Sequence, residues 1–225
     1  MSDPVLEFRS ASLPLPEGTA TTPASFQLRP GEVGAVLLPE EVTGLPLADA
    51  ASGLVSPVAG EVLFQGASWA RLGPTAESAA RGRIGRIFEG RAWMSNLDLD
   101  ENIVLSLVHQ GKRNRAGWLK EAREVAEEVG LGVIPDKRPA WITPRESLLA
   151  QWVRALLGDK PLLVLEAPVR ALDADDIGLC TAALNRRLER GAAALVAGSI
   201  ERSSWLRNLP ASFTMRAQDF IPETP

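Results

Sequence analysis

From Pro144 onward the chain alternates a helix, a wholly apolar strand, a second helix and a second wholly apolar strand, and few architectures accommodate that order. "PRESLLAQWVRALLGD" carries Leu148, Leu149, Trp152, Val153 and Leu156 at inward helical positions. "PLLVLEAP" follows as a continuous apolar run. "DADDIGLCTAALNRRLERG" reads as a strong helix: Asp173 can cap it, Asp175 and Asp176 suit its positive end, and Arg186, Arg187 and Arg190 its negative end. "AAALVAG", Ala192 to Gly198, is the next buried run. Strands apolar on both sides are covered on both faces, which implies an α/β fold with a parallel sheet. Ligands sit at the carboxyl edges of such strands. Those edges fall here at Glu166-Ala167 and Gly198-Ser199.

The first half is richer in strand signals. Val5 to Leu13 alternates as a strand, "TPASFQL" as a second, and Val33 to Leu38 as a third after a turn at Pro30-Gly31. Pro46 to Val55 predicts a helix, with Pro46 in its first turn and Gly53 near its end. "GEVLFQG" and the stretch Ile84 to Phe88 predict two more strands. In "GWLKEAREVAEEVGLG", Leu119, Ala122, Ala126 and Val129 share one helical face, and Gly130 stops the helix. Prolines and glycines punctuate the whole length without repeat or low-complexity tract, so residues 1–225 are expected to form one domain.

Composition removes several function classes. A net charge of −4 over 225 residues gives no basic stripe for nucleic acid. One cysteine, Cys180, excludes an intrachain disulfide and suits a reducing compartment. One histidine, His109, beside that cysteine makes a protein-only transition-metal site a poor expectation, and no metal site is expected. The apolar runs are too short to span a bilayer and no signal pattern opens the chain, so a cytoplasmic location is expected.

Gly31 to Val62 has the frame of a nucleotide site: a strand, a loop, a helix and another strand, with the spacing of a phosphate loop. Yet the loop itself, "LPEEVTGLP", has no lysine and a single glycine.

The order of elements is that of a known family. "GEVGAVLL", "GLVSPVAGEVLFQG", "RIGRIFE", "VRALLGDKPLLVLEAPVRALD" and "LERGAAALVAGS" together resemble an ABC-transporter ATP-binding subunit from about Val5 to Ser199. "SNLDLDENI" with "LSLVHQGKR" is similar to the branch serving Mce-type lipid transporters. The resemblance implies a P-loop NTPase-like core with a mainly parallel sheet, an amino-terminal antiparallel β portion and a helical subdomain. It places the core at 1–88 and 154–225 and the subdomain at 89–153.

It also implies where the chemistry should lie. The family's phosphate loop aligns with Leu38 to Pro46. Backbone N–H groups, a lysine and a hydroxyl would hold phosphates and Mg²⁺ there. The lysine position is Gly44, and the hydroxyl positions are Leu45 and Pro46. Glu40 and Glu41 add negative charge, and Pro46 has no N–H to donate. The Mg²⁺-organising aspartate becomes Glu166. The glutamate that polarises the attacking water becomes Ala167, which cannot act as a base. The signature sequence falls on Ile142, Thr143, Pro144, Arg145 and Glu146, where two glycines would be needed. The switch histidine falls on Ser199, and the glutamine of the membrane-facing loop on Glu89. The loop after the catalytic strand survives in part as Arg170 to Asp173.

Because ABC subunits pair face to face, each site joins one phosphate loop to the other subunit's signature, and this chain has lost both halves. The expectation is a pseudo-ATPase with a preserved scaffold, binding no nucleotide cofactor, in a structural or regulatory role on a membrane transporter. It would dock on the membrane-spanning subunit through Glu89, Gly90, Trp93 and Asn96. Arg170 and Asp173 would face an intact ABC ATPase or a second copy, as heterodimer or homodimer. The site would then be peripheral to the inner face of the cell membrane. Two alternatives stay open: a subunit that binds ATP and Mg²⁺ unconventionally and hydrolyses slowly, and a soluble module that reuses the cleft for a ligand that is not polyanionic. Leu38, Val42 and Leu45 are expected to turn inward and fill part of the space a triphosphate needs.

Overall fold

The computed structural model describes residues 2–15, 18–38, 45–90, 93–111, 114–199 and 203–216. In chain order, β1 (Leu6–Ser12), β2 (Ala24–Leu28), β3 (Val33–Leu38), the single-turn α1 (Leu47–Ala51), β4 (Ala59–Phe64) and the two-residue β5 (Ala67–Ser68) come first. Next are α2 (Pro74–Arg81), β6 (Ile84–Ile87), α3 (Leu99–His109), α4 (Arg115–Glu128) and α5 (Pro144–Leu156). β7 (Leu162–Glu166), α6 (Ala174–Glu189), β8 (Ala193–Ser199) and β9 (Ala211–Arg216) complete the chain.

The strands form two sheets. One is antiparallel, in the order β2-β1-β4-β5; the other has the order β6-β7-β8-β3-β9, with every pairing parallel. The parallel sheet is buried on both sides, which is why β7 and β8 read as unbroken apolar runs. Leu163 and Leu165 face the helices α3 to α6, while Leu162 and Val164 face the antiparallel sheet. Ala194 and Val196 divide from Ala193 and Leu195 in the same way. In the antiparallel sheet the alternation of β1 breaks where its register shifts, between Phe8 and Ala11 against β2 and between Arg9 and Ser12 against β4.

Aromatic rings join the two sheets. Phe8 stacks on Phe26 with centroids 4.4 Å apart, and Phe26 meets Phe213 of β9 at 5.2 Å. Phe213 in turn lies over Gly34, where a Cβ would come within 2.3 Å of the ring. The helices pack into the larger core, with Trp152 fully buried and its indole N–H donating to the Pro168 carbonyl (2.8 Å). On α6, Cys180 is buried, its Sγ 3.8 Å from the Val129 carbonyl oxygen. Burial pushes its thiol far above the ordinary range, with the charge of Asp176 adding to the effect. No described helix is long and apolar enough to cross a membrane.

The helix expected over Pro46 to Val55 is shorter than its sequence suggests. It runs from Leu47 to Ala51, because the Ser52 hydroxyl donates back to the Ala48 carbonyl and Gly53 turns left-handed at φ +67°. The edge strand β9 and the helices α2 and α3 lie outside the elements that periodicity predicts.

Candidate functional site

The carboxyl edge of the parallel sheet is closed by an internal cation. Arg86 sits in β6 beside β7, and its side chain is only 9% exposed. Its Nη2 donates to Asp49 Oδ1 on α1 (2.5 Å) and to Glu166 Oε2 at the end of β7 (2.9 Å). One guanidinium therefore ties three elements at the edge. Burial pushes the Glu166 carboxyl above its ordinary value; the charge and hydrogen bond of Arg86 oppose this without cancelling it, and Asp49 and Glu89 add to the rise.

The next residue, Ala167, presents a methyl group. Its N–H donates to the Ala197 carbonyl (2.8 Å), and its φ of +43° lies in the left-handed region. That conformation costs an L-residue about 1–2 kcal/mol. Ser199 pairs with Leu38 across β8 and β3, and both are half-buried. Leu38 and Leu45 pack against the core between the sheets. Glu40, Glu41, Val42 and Gly44 lie outside the described residues. Pro46 stands at the start of α1 without a side-chain cap, and one turn of helix carries little macrodipole.

The signature stretch is a helix start. Thr143 caps α5 by accepting from the Glu146 N–H, and Glu146 returns the bond to the Thr143 N–H (2.7 Å). Pro144 takes the first helical position, which needs no N–H. Ile142 packs on the helical core. Arg145 turns away along α6: its Nε and Nη2 donate to the buried Asp176 carboxylate at 2.6 Å each, and Nη2 also reaches the Gly130 carbonyl (3.1 Å). Among the described contacts, none joins Ile142–Glu146 to the edge at Glu166.

The structure does bring Glu89 and Arg170 together. Arg170 Nη2 donates to the Glu89 carbonyl oxygen (2.8 Å), with both side chains exposed. Asp173 caps α6 by accepting from the Asp176 N–H. Gly90 and Asn96 are exposed, whereas Trp93 is half-buried. The Trp93 indole N–H donates to Ser147 Oγ (2.9 Å), and the Arg154 guanidinium lies 4.4 Å from its ring centroid. The segment after Trp93 is pinned by the buried Asn102, which exchanges hydrogen bonds with the Met94 N–H and carbonyl.

Beside this segment opens a cleft of about 620 Å³ between β6, α2, α3 and α5. Arg86, Arg154 and Asn102 line it, and none of them was among the residues that sequence motifs single out. A signal existed: Arg86 is the lone cation inside the apolar run "IGRIF". Among the described residues no group of three or more histidine, cysteine or carboxylate side chains is placed to hold a metal.

Layered this way, with a parallel sheet between helices and an antiparallel sheet, the molecule has the ATP-binding cassette fold. A solved ATP-binding subunit of an ABC transporter superposes with a TM-score of 0.81 over 96% of this chain and 89% of its own, at 20% identity. A dimeric bacterial ABC transporter cassette superposes at 0.82 over 94% of each chain, at 16% identity. The sequence matches no protein-family model. Its curated relatives include the sulfate/thiosulfate import ATP-binding protein of Chromobacterium violaceum, 31% identical over 69% of this chain and 41% of the relative. A lipoprotein-releasing system ATP-binding protein of Caulobacter vibrioides is 28% identical over 88% of this chain and 89% of its own length. The thiamine import ATP-binding protein of Yersinia pestis is 28% identical over 67% and 62%. The chain thus spans less than half of the sulfate relative and under two thirds of the thiamine one. The curated relatives named are thus ATP-binding subunits of transporters, and the fold is that of the ATP-binding cassette.

Proposed function

We propose that the chain is a catalytically degenerate ATP-binding subunit, a pseudo-ATPase retained as a scaffold in a membrane transporter complex. The observation that carries the reading is the Arg86 bridge: a resident cation engages Glu166, the carboxylate that would otherwise organise Mg²⁺. Around it, Ala167 offers no base, Pro46 offers no N–H, and α1 is a single turn. These residues do not fit Mg-ATP, so we derive no hydrolytic step through them.

The preserved role is docking. The segment from Glu89 to Asn96 and the cleft beside it face the membrane-spanning subunit, and the loop Arg170 to Asp173 faces a second ATP-binding subunit. The likeness to a lipoprotein-releasing relative supports a lipid-linked cargo. The protein then works at the inner face of the membrane as a peripheral subunit.

Titration with Mg-ATP tests the reading, followed by tryptophan fluorescence and thermal unfolding. The expected result is no saturable change up to millimolar nucleotide. A ligand at 1,000 times its Kd stabilises a protein by about 4 kcal/mol. A micromolar, Mg²⁺-dependent site would therefore raise the melting temperature by several degrees and sink the proposal.

A further inference from the structure

Arg86 holds its place on the sheet edge by charge rather than by the fork of its guanidinium. Only Nη2 forms hydrogen bonds, to Asp49 Oδ1 (2.5 Å) and Glu166 Oε2 (2.9 Å). Nε and Nη1 are buried and meet no acceptor among the described residues, although the side chain is nine-tenths buried. The guanidinium carbon lies 4.4 Å from the Phe88 ring centroid, and a ring face attracts positive charge without needing a donor. Arg145 is the contrast: it sets Nε and Nη2 together on the one Asp176 carboxylate. Arg86 is instead a single positive centre shared by two carboxylates from different elements, which is the arrangement around a metal ion rather than that of a bidentate pair.

The distances agree with that likeness. Calcium takes carboxylate oxygens at about 2.3–2.6 Å, and magnesium at about 2.0–2.1 Å. Because both oxygens contact the one nitrogen at 2.5 and 2.9 Å, they already stand near the span that a calcium-sized ion would bridge. The carboxylates are also open to the solvent that would deliver such an ion, Asp49 at 42% and Glu166 at 22% exposure, while Arg86 reaches them from inside.

We propose that Asp49 and Glu166 form a latent divalent-cation site that the Arg86 guanidinium permanently fills. The inference deepens the pseudo-ATPase reading and rests on it for the former role of Glu166. It adds two consequences. First, the site excludes divalent cations by occupation, although its oxygens remain suited to them. Second, the joint between α1, β6 and β7 is independent of any dissociable ion. Two carboxylates facing one point repel each other unless a cation lies between them. A bound metal leaves when its concentration falls, whereas a guanidinium neither dissociates from the chain nor loses its charge. The edge therefore keeps one arrangement whatever the surrounding divalent-cation concentration.

Mn²⁺ alone, without nucleotide, is the probe. Binding is followed by electron paramagnetic resonance of the free ion, and stability by thermal unfolding against NaCl of equal ionic strength. The wild type is expected to show no Glu166-dependent Mn²⁺ binding and the same melting temperature in both salts. Arg86→Met should lower the melting temperature by several degrees and open a site with a Kd of roughly 1 mM, the weak end of carboxylate sites. At ten times that Kd, Mn²⁺ should return about 3–6 °C. Adding Asp49→Asn to Arg86→Met should abolish the gain. Arg86→Lys keeps a point charge without the fork, so it should stay folded and still exclude Mn²⁺. If Arg86→Met does not fold, the neutral Arg86→Gln, which keeps an N–H donor, takes its place. Mn²⁺ uptake by the wild type that Glu166→Gln removes overturns the proposal, as does the lack of any Asp49-dependent gain in both neutral variants. A missing gain beside a silent Mg-ATP titration removes the latent site and leaves the pseudo-ATPase reading standing. A gain beside a wild type that binds Mg-ATP keeps the latent site and sinks the pseudo-ATPase reading.

Discussion

Arg145 stands where the family's signature needs glycine, and its bulk is turned to structural use. Its fork grips Asp176, a carboxylate that is 5% exposed in the first turn of α6. The Asp176 hydrogen bonds and charge push the guanidinium above its ordinary range. Removing the partner strands a buried carboxylate, so Arg145→Ala is expected to lower unfolding free energy in urea by about 1–3 kcal/mol. Arg145→Lys should recover less than half of that, since an ammonium cannot reproduce the fork. A loss below about 0.5 kcal/mol would mean that water satisfies Asp176. The sequence made Arg145 legible as an obstacle to phosphate but not as a clasp, because its partner lies 31 residues away on another helix. Arg86 was harder still: its carboxylates come from α1 and β7, and only the folded sheet brings them together.

Between elements, the site depends on one close approach. A Cβ at Gly85 would lie 2.1 Å from the Ala155 carbonyl oxygen, so α5 can rest on β6 only because residue 85 has no side chain. That approach sets Arg154 against Phe88. Gly85→Ala is expected to cost about 1–3 kcal/mol, and the emission of Trp93 should shift as α5 moves away. Gly178→Ala is the contrasting case: it sits exposed within α6 with open space around it and should stabilise by about 0.5–1 kcal/mol. If both variants unfold at the same urea concentration, the close-packing account fails. The helices α4, α5 and α6 were legible because their apolar positions recur at helical spacing. The helix α3 was not, since "IVLSLVH" is apolar nearly all round and gives no period. The helix predicted over Pro46 to Val55 was found but overextended for another reason: Ser52 and Gly53 end α1 before its apolar pattern does.

Across the whole molecule, two buried apolar strands flanked by helices were enough to define the layering, because only a sheet covered on both faces hides such strands. The pairing of β9 with β3 could not be read the same way: Phe213 finds its place over Gly34 through a contact 179 positions away in sequence, which no local pattern encodes. The candidate site was legible mainly through what its residues lack. Its positive content, a guanidinium shared between a cleft and a sheet edge, emerges only from three-dimensional proximity.

The buried Cys180 gives this scaffold a built-in clock. It is the chain's sole cysteine, and its thiol is shielded and kept protonated. A thiol reagent such as dithionitrobenzoate can reach it only when α6 leaves the core, so labelling should follow the rate or population of that opening rather than the reagent's own reactivity. Labelling at neutral pH is expected to be slower than for an unfolded-chain cysteine by a factor of at least about a thousand, in keeping with ordinary domain stability. Fast labelling of the native protein would mean that α6 is loosely held. With one reporter and no ambiguity of assignment, the same trace would record how strongly any docking partner clamps the fold shut.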